Sequence, residues 1–430
     1  MSTYKINKAE KIHFVGIGGI GVSAIARMML HEGKSVTGSD IYPSKITKEL
    51  ESLGAKIFYS HCSGNVGDVD LVVYSPAVNE ENVELIVARS RKIVLRSYPE
   101  ILGEISKNKF TIAISGAHGK TTTTAIIGTI LKDASLEPTI IVGSLLKGIQ
   151  SNFVSGSGEY FIVEACEYKQ SFLNINPKII VITNIDNDHL DYYRNVENIQ
   201  RAFSAFIAKL DANGFLVCNP NGRYIAEVIK NAKCRIIDYT KLPWDFSLKL
   251  VGDHNLSNAQ AAFAVAKLLD VPENIIRKSL ENFSGTWRRF ECKGKTEKGA
   301  LVYDDYAHHP TEVRVTLAGA RKYFGKRKIF CIFQPHLFSR TKILLNDFSG
   351  SFGEANKVII APIYAAREKN DKSINSKVLV EKIKQKGVSV LFLENFEEII
   401  DYLKINTSKG DLIITMGAGD IYKIGERLIF

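Results

Sequence analysis

Apolar and polar positions along the chain repeat as short β-branched runs, glycine-rich turns and segments with helical periodicity. Alternation of strands with helices is typical of sheets whose strands run parallel and whose faces are covered by helices. Three such series follow one another, and each opens with its own apolar run. The pattern therefore predicts an α/β protein of three domains.

The three predicted domains span residues 1–106, 107–286 and 287–430. A chain of 430 residues is too long for a single hydrophobic core, which agrees with this division. The two outer domains are expected to be Rossmann-like, and the central domain to hold a mainly parallel sheet. Strands are predicted at 12–15, 35–38, 110–114, 160–163, 179–183, 300–303, 329–333, 358–361, 388–393 and 412–416, and helices at 23–31 and 121–132.

Composition narrows the class of protein. The chain is 45% apolar and 24% charged, and it has no unbroken apolar run long enough to cross a bilayer. Its first residues are polar and lack the apolar core of a secretory signal. We therefore expect a cytoplasmic protein without membrane insertion. The sequence leaves open whether the protein is a monomer or a homodimer.

Charge and cysteine spacing exclude two further classes. The net charge of +10 comes from dispersed Lys and Arg, so it favours a basic surface for anionic small substrates over nucleic-acid binding. The six cysteines lie far apart without a CxxC pair, which argues against a zinc site and a disulfide framework.

The strongest local signal for chemistry is a glycine turn at 115–122, between a β-branched strand and a helix. The N–H groups of such a turn face a polyphosphate, Lys120 can reach its terminal phosphates, and the Thr121 hydroxyl can ligate Mg²⁺. The spacing is shorter than GxxxxGK[ST], so an ordinary turn with a chance lysine remains the alternative. The predicted ATP contacts are Gly116, Ala117, His118, Gly119, Lys120, Thr121 and Thr122.

Two later strands of the same series end in candidate metal ligands. Glu164 follows the run 160–163, and His189 follows the strand at 179–183 through a short polar segment. Ligands of an ATP-bound Mg²⁺ project from the carboxyl ends of strands in open α/β sheets. The sequence thus predicts Thr121, Glu164 and His189 as magnesium ligands, although a solvated strand end and a structural histidine remain alternatives.

A second glycine turn, at 16–21, follows the first predicted strand and matches GxGxxG, with Asp40 about 20 residues on. The motif indicates a turn that accepts a diphosphate and an acid for a ribose or base. A UDP-sugar fits it as well as a dinucleotide does. The candidate substrate contacts here are Gly18, Gly19, Ile20, Gly21, Asp40 and Ser75.

Taken in order, these segments resemble the motifs of the Mur ligase family over nearly the whole chain. The matching segments are HFVGIGGIGVS at 13–23, GAHGKTTTT at 116–124, EACEY at 164–168, TNIDNDHLD at 183–191, GDHNLSNA at 252–259, RRF at 288–290, DDYAHHPTE at 304–312, FQPH at 333–336, SRT at 339–341 and GAGD at 417–420. Each segment alone is weak, whereas their common order is highly specific.

The resemblance implies a role for each domain and for further residues. The N-terminal domain would hold a UDP-sugar, the central domain would be a P-loop ATPase, and the C-terminal domain would bring an amino acid. The resemblance places His254, Asn255 and Asn258 near the adenine, and Arg289 and Asp305 at the nucleotide. It places Tyr306, His308, His309 and Arg340 at the amino acid and acyl phosphate. The candidate catalytic residues are Lys120, Glu164, His189, His309 and Arg340.

The implied reaction is an ADP-forming ligation of L-alanine to the carboxylate of UDP-N-acetylmuramate, with ATP and Mg²⁺, in peptidoglycan precursor synthesis. Two alternatives stay open, namely a sibling ligase that attaches a preformed peptide and a non-catalytic regulator that binds UDP-sugar and ATP. The chain departs from the family at Ala117, where Thr is usual, and at Leu337, where many members carry Arg.

Overall fold

The computed structural model describes residues 6–146, 151–366, 368–369 and 371–429. It contains three sheets, each within one of the three predicted series, so the expected three-domain α/β fold is confirmed. The chain divides into two compact units. One comprises 1–187, 195–247 and 258–282 and holds the first two sheets; the other comprises 188–194, 248–257 and 283–430 and holds the third.

The first sheet is fully parallel, in the order β3-β2-β1-β4-β5. Residues 12–15 of β1 are all buried, which is typical of a parallel strand in a sheet covered by helices on both faces. Its strands are β1 (Lys11–Val15), β2 (Ser35–Ser39), β3 (Lys56–Phe58), β4 (Leu71–Tyr74) and β5 (Val94–Ser97), and its helices are α1 (Ile20–His31), α2 (Lys45–Ser52), α3 (Val83–Ser90) and α4 (Tyr98–Ser106).

The second sheet has the order β12-β11-β10-β6-β9-β7-β8, with only the β7–β8 pair antiparallel among its described pairs. Its strands are β6 (Phe110–Ser115), β7 (Thr139–Leu146), β8 (Ser151–Val154), β9 (Tyr160–Glu164), β10 (Ile179–Ile182), β11 (Phe215–Cys218) and β12 (Arg235–Asp238). The helices along this part of the chain are α5 (Lys120–Asp133), α6 (Leu190–Tyr193), α7 (Val196–Ile207), α8 (Ile225–Ile229), α9 (Asp253–Leu268) and α10 (Glu273–Asn282).

The third sheet has the order β13-β14-β18-β15-β16-β17, and β13 is its antiparallel edge strand. Its strands are β13 (Glu291–Lys295), β14 (Leu301–Asp305), β15 (Ile329–Phe333), β16 (Lys357–Ile360), β17 (Val390–Phe392) and β18 (Leu412–Met416). Its helices are α11 (Pro310–Phe324), α12 (Phe338–Ile343), α13 (Leu345–Ser349), α14 (Ser376–Lys384), α15 (Phe396–Asn406) and α16 (Tyr422–Leu428).

Every strand predicted from an apolar run is present, with ends that differ by at most a few residues. The prediction did not include the strands β3, β4, β5, β7, β8, β11, β12 and β13. Among these, the edge strand β13 has the sequence ECKGK and contains no apolar run. Among the described helices, none combines the length and the apolar character needed to cross a bilayer. The exact domain bounds at 106 and 286 stay predictions.

Candidate nucleotide and ligase site

The turn between β6 and α5 has the backbone of a phosphate cradle. Gly116 and Gly119 have φ values of +132° and +87°, which residues with a Cβ rarely adopt. A Cβ on Gly116 would overlap the Thr183 hydroxyl, and a Cβ on Gly119 would overlap the side-chain amide of Asn258. Both glycines are therefore required by space as well as by φ.

The loop is tied to the chain that follows β10. The Ala117 N–H donates to the Asn184 carbonyl (3.1 Å), and the His118 N–H donates to the Asn184 side chain (2.9 Å). The Thr183 hydroxyl donates to the His118 carbonyl (2.6 Å), and His118 Nε2 lies 3.1 Å from the Asp186 carboxylate. Since the loop is fixed through its backbone, the missing hydroxyl at Ala117 does not disturb its anchoring.

Lys120, the first residue of α5, lies across the loop. Its Nζ donates to the Gly116 carbonyl, the Ala117 carbonyl (3.2 Å) and the Glu167 carboxylate (3.0 Å). Burial alone would lower the pKa of Lys120, but the negative charges of Glu167 and Glu164 outweigh burial and raise that pKa. The cradle thus contains a permanent cation.

Thr121 and Glu164 form an oxygen pair beside the loop. The Thr121 hydroxyl lies 3.0 Å and 3.2 Å from the two Glu164 carboxylate oxygens, and the Gly143 N–H donates to Glu164 at 2.7 Å. Hydroxyl and carboxylate oxygens are the ligands that a hard divalent cation prefers. These two predicted metal ligands therefore lie together and suit such an ion, while His189 belongs to the second unit.

The predicted adenine contacts are divided between the two units. Asn258 is buried and lies against Gly119, beside the cradle. Asn255 is part of the second unit, where its side-chain amide donates to the Val251 carbonyl (2.8 Å). His254 lies next to it, after the turn at Gly252, which has φ +100°.

The turn between β1 and α1 brings together all six residues predicted to contact the UDP-sugar. The Gly18 N–H donates to the Asp40 carboxylate (2.9 Å), and a Cβ on Gly18 would come within 2.8 Å of the same oxygen. Ser75 lies against Gly16, whose φ is +77°. A Cβ on Gly21 would come within 2.7 Å of the Tyr98 ring. Gly19 is the N-cap of α1, and Ile20 is its first residue.

In the second unit, the Arg340 side chain contacts a carboxylate and an imidazole. Its guanidinium lies 3.3 Å from the Asp188 carboxylate and 3.1 Å from His336 Nδ1, and its side chain is 11% exposed. Burial alone would raise the pKa of Asp188, but the positive charges of His189 and Arg340 outweigh burial and hold it well below the usual range. Arg340 is therefore a largely buried cation and not a surface ion pair.

The two adjacent histidines of the HH pair differ in their surroundings. Burial lowers the pKa of His308 to about 4, although Glu312 opposes this, and its Nδ1 lies 3.0 Å from the Tyr306 carbonyl. His309 is the N-cap of α11 and accepts the Thr311 N–H at Nδ1 (3.3 Å). Helix α11 begins at Pro310, so His309 has a capping role whatever its part in catalysis.

Asp305 and Arg289 lie close to each other at the start of the third sheet. Burial raises the pKa of Asp305 to about 6, against the opposing charge of Arg289 and the N–H groups of Ala307 and Phe290. The Arg289 guanidinium lies 5.1 Å from the centre of the Tyr306 ring. Asp305, Arg289 and Tyr306 therefore form one group within the second unit.

Sequence reasoning did not single out Glu167, Asp188 or His336. Each lies inside a segment that was recognised as a motif, so a signal was present. The signal was incomplete because a motif does not say which of its polar residues faces Lys120 or Arg340. Glu167 lies 47 positions from Lys120 and Asp188 lies 152 positions from Arg340, whereas His336 is only four positions from Arg340.

Each of the two glycine turns opens a helix in an α/β domain, which is typical of a protein that binds two phosphorylated ligands. The Lys120 cation and the Thr121–Glu164 oxygen pair at the second turn fit a nucleoside triphosphate. Comparison with known proteins agrees. Residues 11–110 match the Mur ligase family catalytic domain, residues 114–243 the Mur ligase middle domain, and residues 288–419 the Mur ligase glutamate ligase domain.

The chain belongs to the Mur ligase family. It is 43% identical to the UDP-N-acetylmuramate–L-alanine ligase of Acetivibrio thermocellus, over 98% of this chain and 96% of the relative. The same identity relates it to the enzyme of that name from Caldanaerobacter subterraneus, over 99% and 98%. The crystal structure of UDP-N-acetylmuramate-alanine ligase from Thermotoga maritima superposes with a TM-score of 0.82 at 29% identity, covering 97% of this chain and 98% of that one.

Proposed function

We propose that this chain is an ADP-forming ligase that joins L-alanine to the carboxylate of UDP-N-acetylmuramate, a step of peptidoglycan precursor synthesis. The observation that carries the proposal is the group formed by Lys120, Thr121 and Glu164 at the cradle between β6 and α5. The names of its full-length relatives support the choice of substrates. Because these substrates and ATP are cytoplasmic, we place the reaction in the cytoplasm.

In the first step, the γ-phosphoryl group of ATP would move to an oxygen of the muramate carboxylate, leaving ADP and an acyl phosphate. Negative charge spreads over the oxygens of the group in transfer, so the catalyst mainly supplies positive charge and alignment. Lys120 and the backbone N–H groups of the loop are placed to do this. We assign the UDP part of the acceptor to the turn at 16–21, whose N–H groups suit a diphosphate.

A divalent metal, which we propose to be Mg²⁺, would neutralise phosphate charge at the cradle. Thr121 and Glu164 offer the hard oxygen ligands for it, and His189 is the third ligand that we propose. His254, Asn255, Asn258, Arg289 and Asp305 are proposed to hold the rest of the nucleotide. Among these, Asn258 already lies against Gly119 of the loop.

In the second step, the amine of alanine would attack the acyl carbon, form the amide bond and release inorganic phosphate. Arg340 suits the carboxylate of the incoming amino acid, because guanidinium and carboxylate pair at two points. His308 is neutral at pH 7, since its pKa is about 4. A base with so low a pKa removes protons from an ammonium group poorly, so we assign His308 and Tyr306 to binding.

The proposal is tested by measuring phosphate release with UDP-N-acetylmuramate, ATP and each of several acceptors. We expect release only when all three substrates are present, with L-alanine active and a preformed tripeptide inactive. Activity with the tripeptide but not with L-alanine, in the presence of the other two substrates, would identify a peptide-attaching ligase. Absence of substrate-dependent release from folded protein would identify a non-catalytic binding protein. Light scattering of the same preparation would decide between monomer and homodimer.

A further inference from the structure

One strand pair of the second sheet contacts residues beside both glycine turns. The β7–β8 pair is antiparallel, with Ile140 opposite Val154 and Ile141 opposite Phe153. On β7, the Gly143 N–H donates to the Glu164 carboxylate at 2.7 Å. Helix α1, which follows the first turn, packs against β7 and β8. The same two strands therefore touch the predicted metal carboxylate and the helix of the UDP-sugar domain.

Asn152 is the polar link between β8 and α1. It is fully buried, and its side-chain NH₂ donates to the Ile20 carbonyl and to the Ser23 hydroxyl (3.0 Å). Ile20 is the first residue of α1 and directly follows Gly19. Asn152 thus holds the carbonyl at the exact point where the glycine turn becomes a helix.

Arg27 completes the link from the side of α1. Its guanidinium donates to the Asn152 side-chain carbonyl at 2.5 Å and to Glu49 on α2 at 2.8 Å, and it is 4% exposed. A buried charged hydrogen bond has a narrow range of good geometries, so it fixes orientation as well as distance. The Asn152 amide is thereby held in the rotamer in which its NH₂ faces Ile20.

Packing between two domains does not require the polar contacts that Asn152 and Arg27 make. Apolar contact alone would bury the face of α1, whereas here both ends of the Asn152 amide and two arms of a guanidinium are used. An amide that lost these partners would remain buried and unsatisfied, which is costly. The cost makes the position of the turn at 16–21 relative to β7 and β8 a well-defined one.

We propose that Asn152 is a positioning residue for the ligation. It fixes the UDP-sugar turn relative to the strand pair that also holds Glu164, so that the muramate carboxylate and the γ-phosphoryl group meet at a set distance. The inference rests on the proposed function, because it takes the turn at 16–21 as the UDP-sugar site. It predicts that loss of the Asn152 NH₂ weakens the use of UDP-sugar through the lost bond to the Ile20 carbonyl of that turn.

The test compares steady-state kinetics of Asn152→Ala, Asn152→Asp and a matched control, Ser155→Ala. The Asp variant keeps the acceptor for Arg27 but loses the donor to Ile20, so it separates positioning from attachment of the domains. Ser155 also pairs across α1 and the end of β8, with His31 Nδ1 at 3.3 Å, but that contact is exposed. The readouts are KM for UDP-N-acetylmuramate, KM for ATP, kcat and the thermal midpoint.

We expect both Asn152 variants to raise KM for UDP-N-acetylmuramate about tenfold, the effect of one buried hydrogen bond, with KM for ATP unchanged. The Asp variant, which keeps the Arg27 contact, should lower the thermal midpoint less than the Ala variant does, and Ser155→Ala should match the wild type throughout. An Asp variant with wild-type KM, or one in which both KM values rise equally, overturns the inference. Wild-type protein without alanine-dependent phosphate release would instead overturn the proposed function.

Discussion

The two glycine turns of this chain share a backbone plan and differ in the charge that surrounds them. Both follow a buried parallel strand and open a helix, α1 in the first domain and α5 in the second. The turn at 16–21 contains no Lys or Arg and has its Gly18 N–H paired with the Asp40 carboxylate. The turn at 116–119 is followed by Lys120, and Glu164 and Glu167 lie beside it.

The difference indicates that a glycine turn suits phosphorylated ligands in general. The charged residues beside the turn then favour one kind of phosphorylated ligand over another. N–H groups at a helix start suit any phosphate. A cation and a metal-binding oxygen pair suit the transfer of a terminal phosphoryl group, whereas an acid suits a ribose or base. We therefore propose that the first turn binds the UDP-sugar and that the second turn assists the phosphoryl transfer.

The largest effect is expected from Lys120→Ala. Loss of the cation at the cradle should reduce alanine-dependent phosphate release by at least about 10³-fold, since a preorganised charge acts directly on the group in transfer. Lys132→Ala is the matched control, because Lys132 lies in the last turn of the same helix and is exposed. Substantial turnover by folded Lys120→Ala protein would contradict the assignment of the second turn.

Glu164→Gln is expected to have the next largest effect. It removes the carboxylate charge while keeping the shape, so kcat should fall about 10²-fold and the Mg²⁺ concentration for half-maximal rate should rise. Glu159→Gln is the control, since Glu159 is exposed just before the same strand, β9. An unchanged Mg²⁺ dependence would show that Glu164 does not bind the metal.

Gly18→Ala tests the first turn of the comparison. Its Cβ would lie 2.8 Å from the Asp40 carboxylate and 3.1 Å from Thr47, so either that carboxylate or the turn must shift and the Gly18–Asp40 hydrogen bond is disturbed. Overpacking of this kind costs about 1–3 kcal/mol, or roughly 5- to 150-fold, which should appear in KM for the UDP-sugar and not for ATP. Gly67→Ala in the same domain has open space and should be neutral. Equal effects on both KM values would contradict separate roles for the turns.

The smallest effect on activity is expected from a residue behind the first turn that contributes to stability. Burial alone would raise the pKa of Glu84, but His13, whose Nε2 lies 3.9 Å away, and hydrogen bonds from Ser39, Asn65 and His61 outweigh burial and lower it to about 2. Because the folded pKa lies below the ordinary 4.5, the carboxylate stabilises the fold above pH 4.5 and ceases to do so as pH falls toward 2. The contribution is up to about 3 kcal/mol.

Glu84→Gln should therefore lower the thermal midpoint at pH 7, and its difference from the wild type should shrink as pH falls below 4.5. Glu81→Gln is the control, since Glu81 is an exposed neighbour. A difference that is constant with pH would show that the charge of Glu84 does not contribute.

Local features of this protein were readable from sequence, and long-range pairings were not. The turns, the strands that precede them and the candidates Lys120, Thr121 and Glu164 follow from residue types at short spacing. Asn152 could not be found this way, because its partner Ile20 lies 132 positions earlier and the segment has no motif. The strand β13 escaped for a related reason, since a polar edge strand carries no apolar pattern.

The central claim is that the two turns bind two different phosphorylated ligands. Calorimetric titration of wild-type, Gly18→Ala and Lys120→Ala protein with UDP-N-acetylmuramate and, separately, with a non-hydrolysable ATP analogue and Mg²⁺ tests it most directly. We predict that Gly18→Ala weakens only UDP-N-acetylmuramate and that Lys120→Ala weakens only the ATP analogue. Competition between the two ligands for the wild-type protein, or loss of both ligands in either folded variant, would contradict the account.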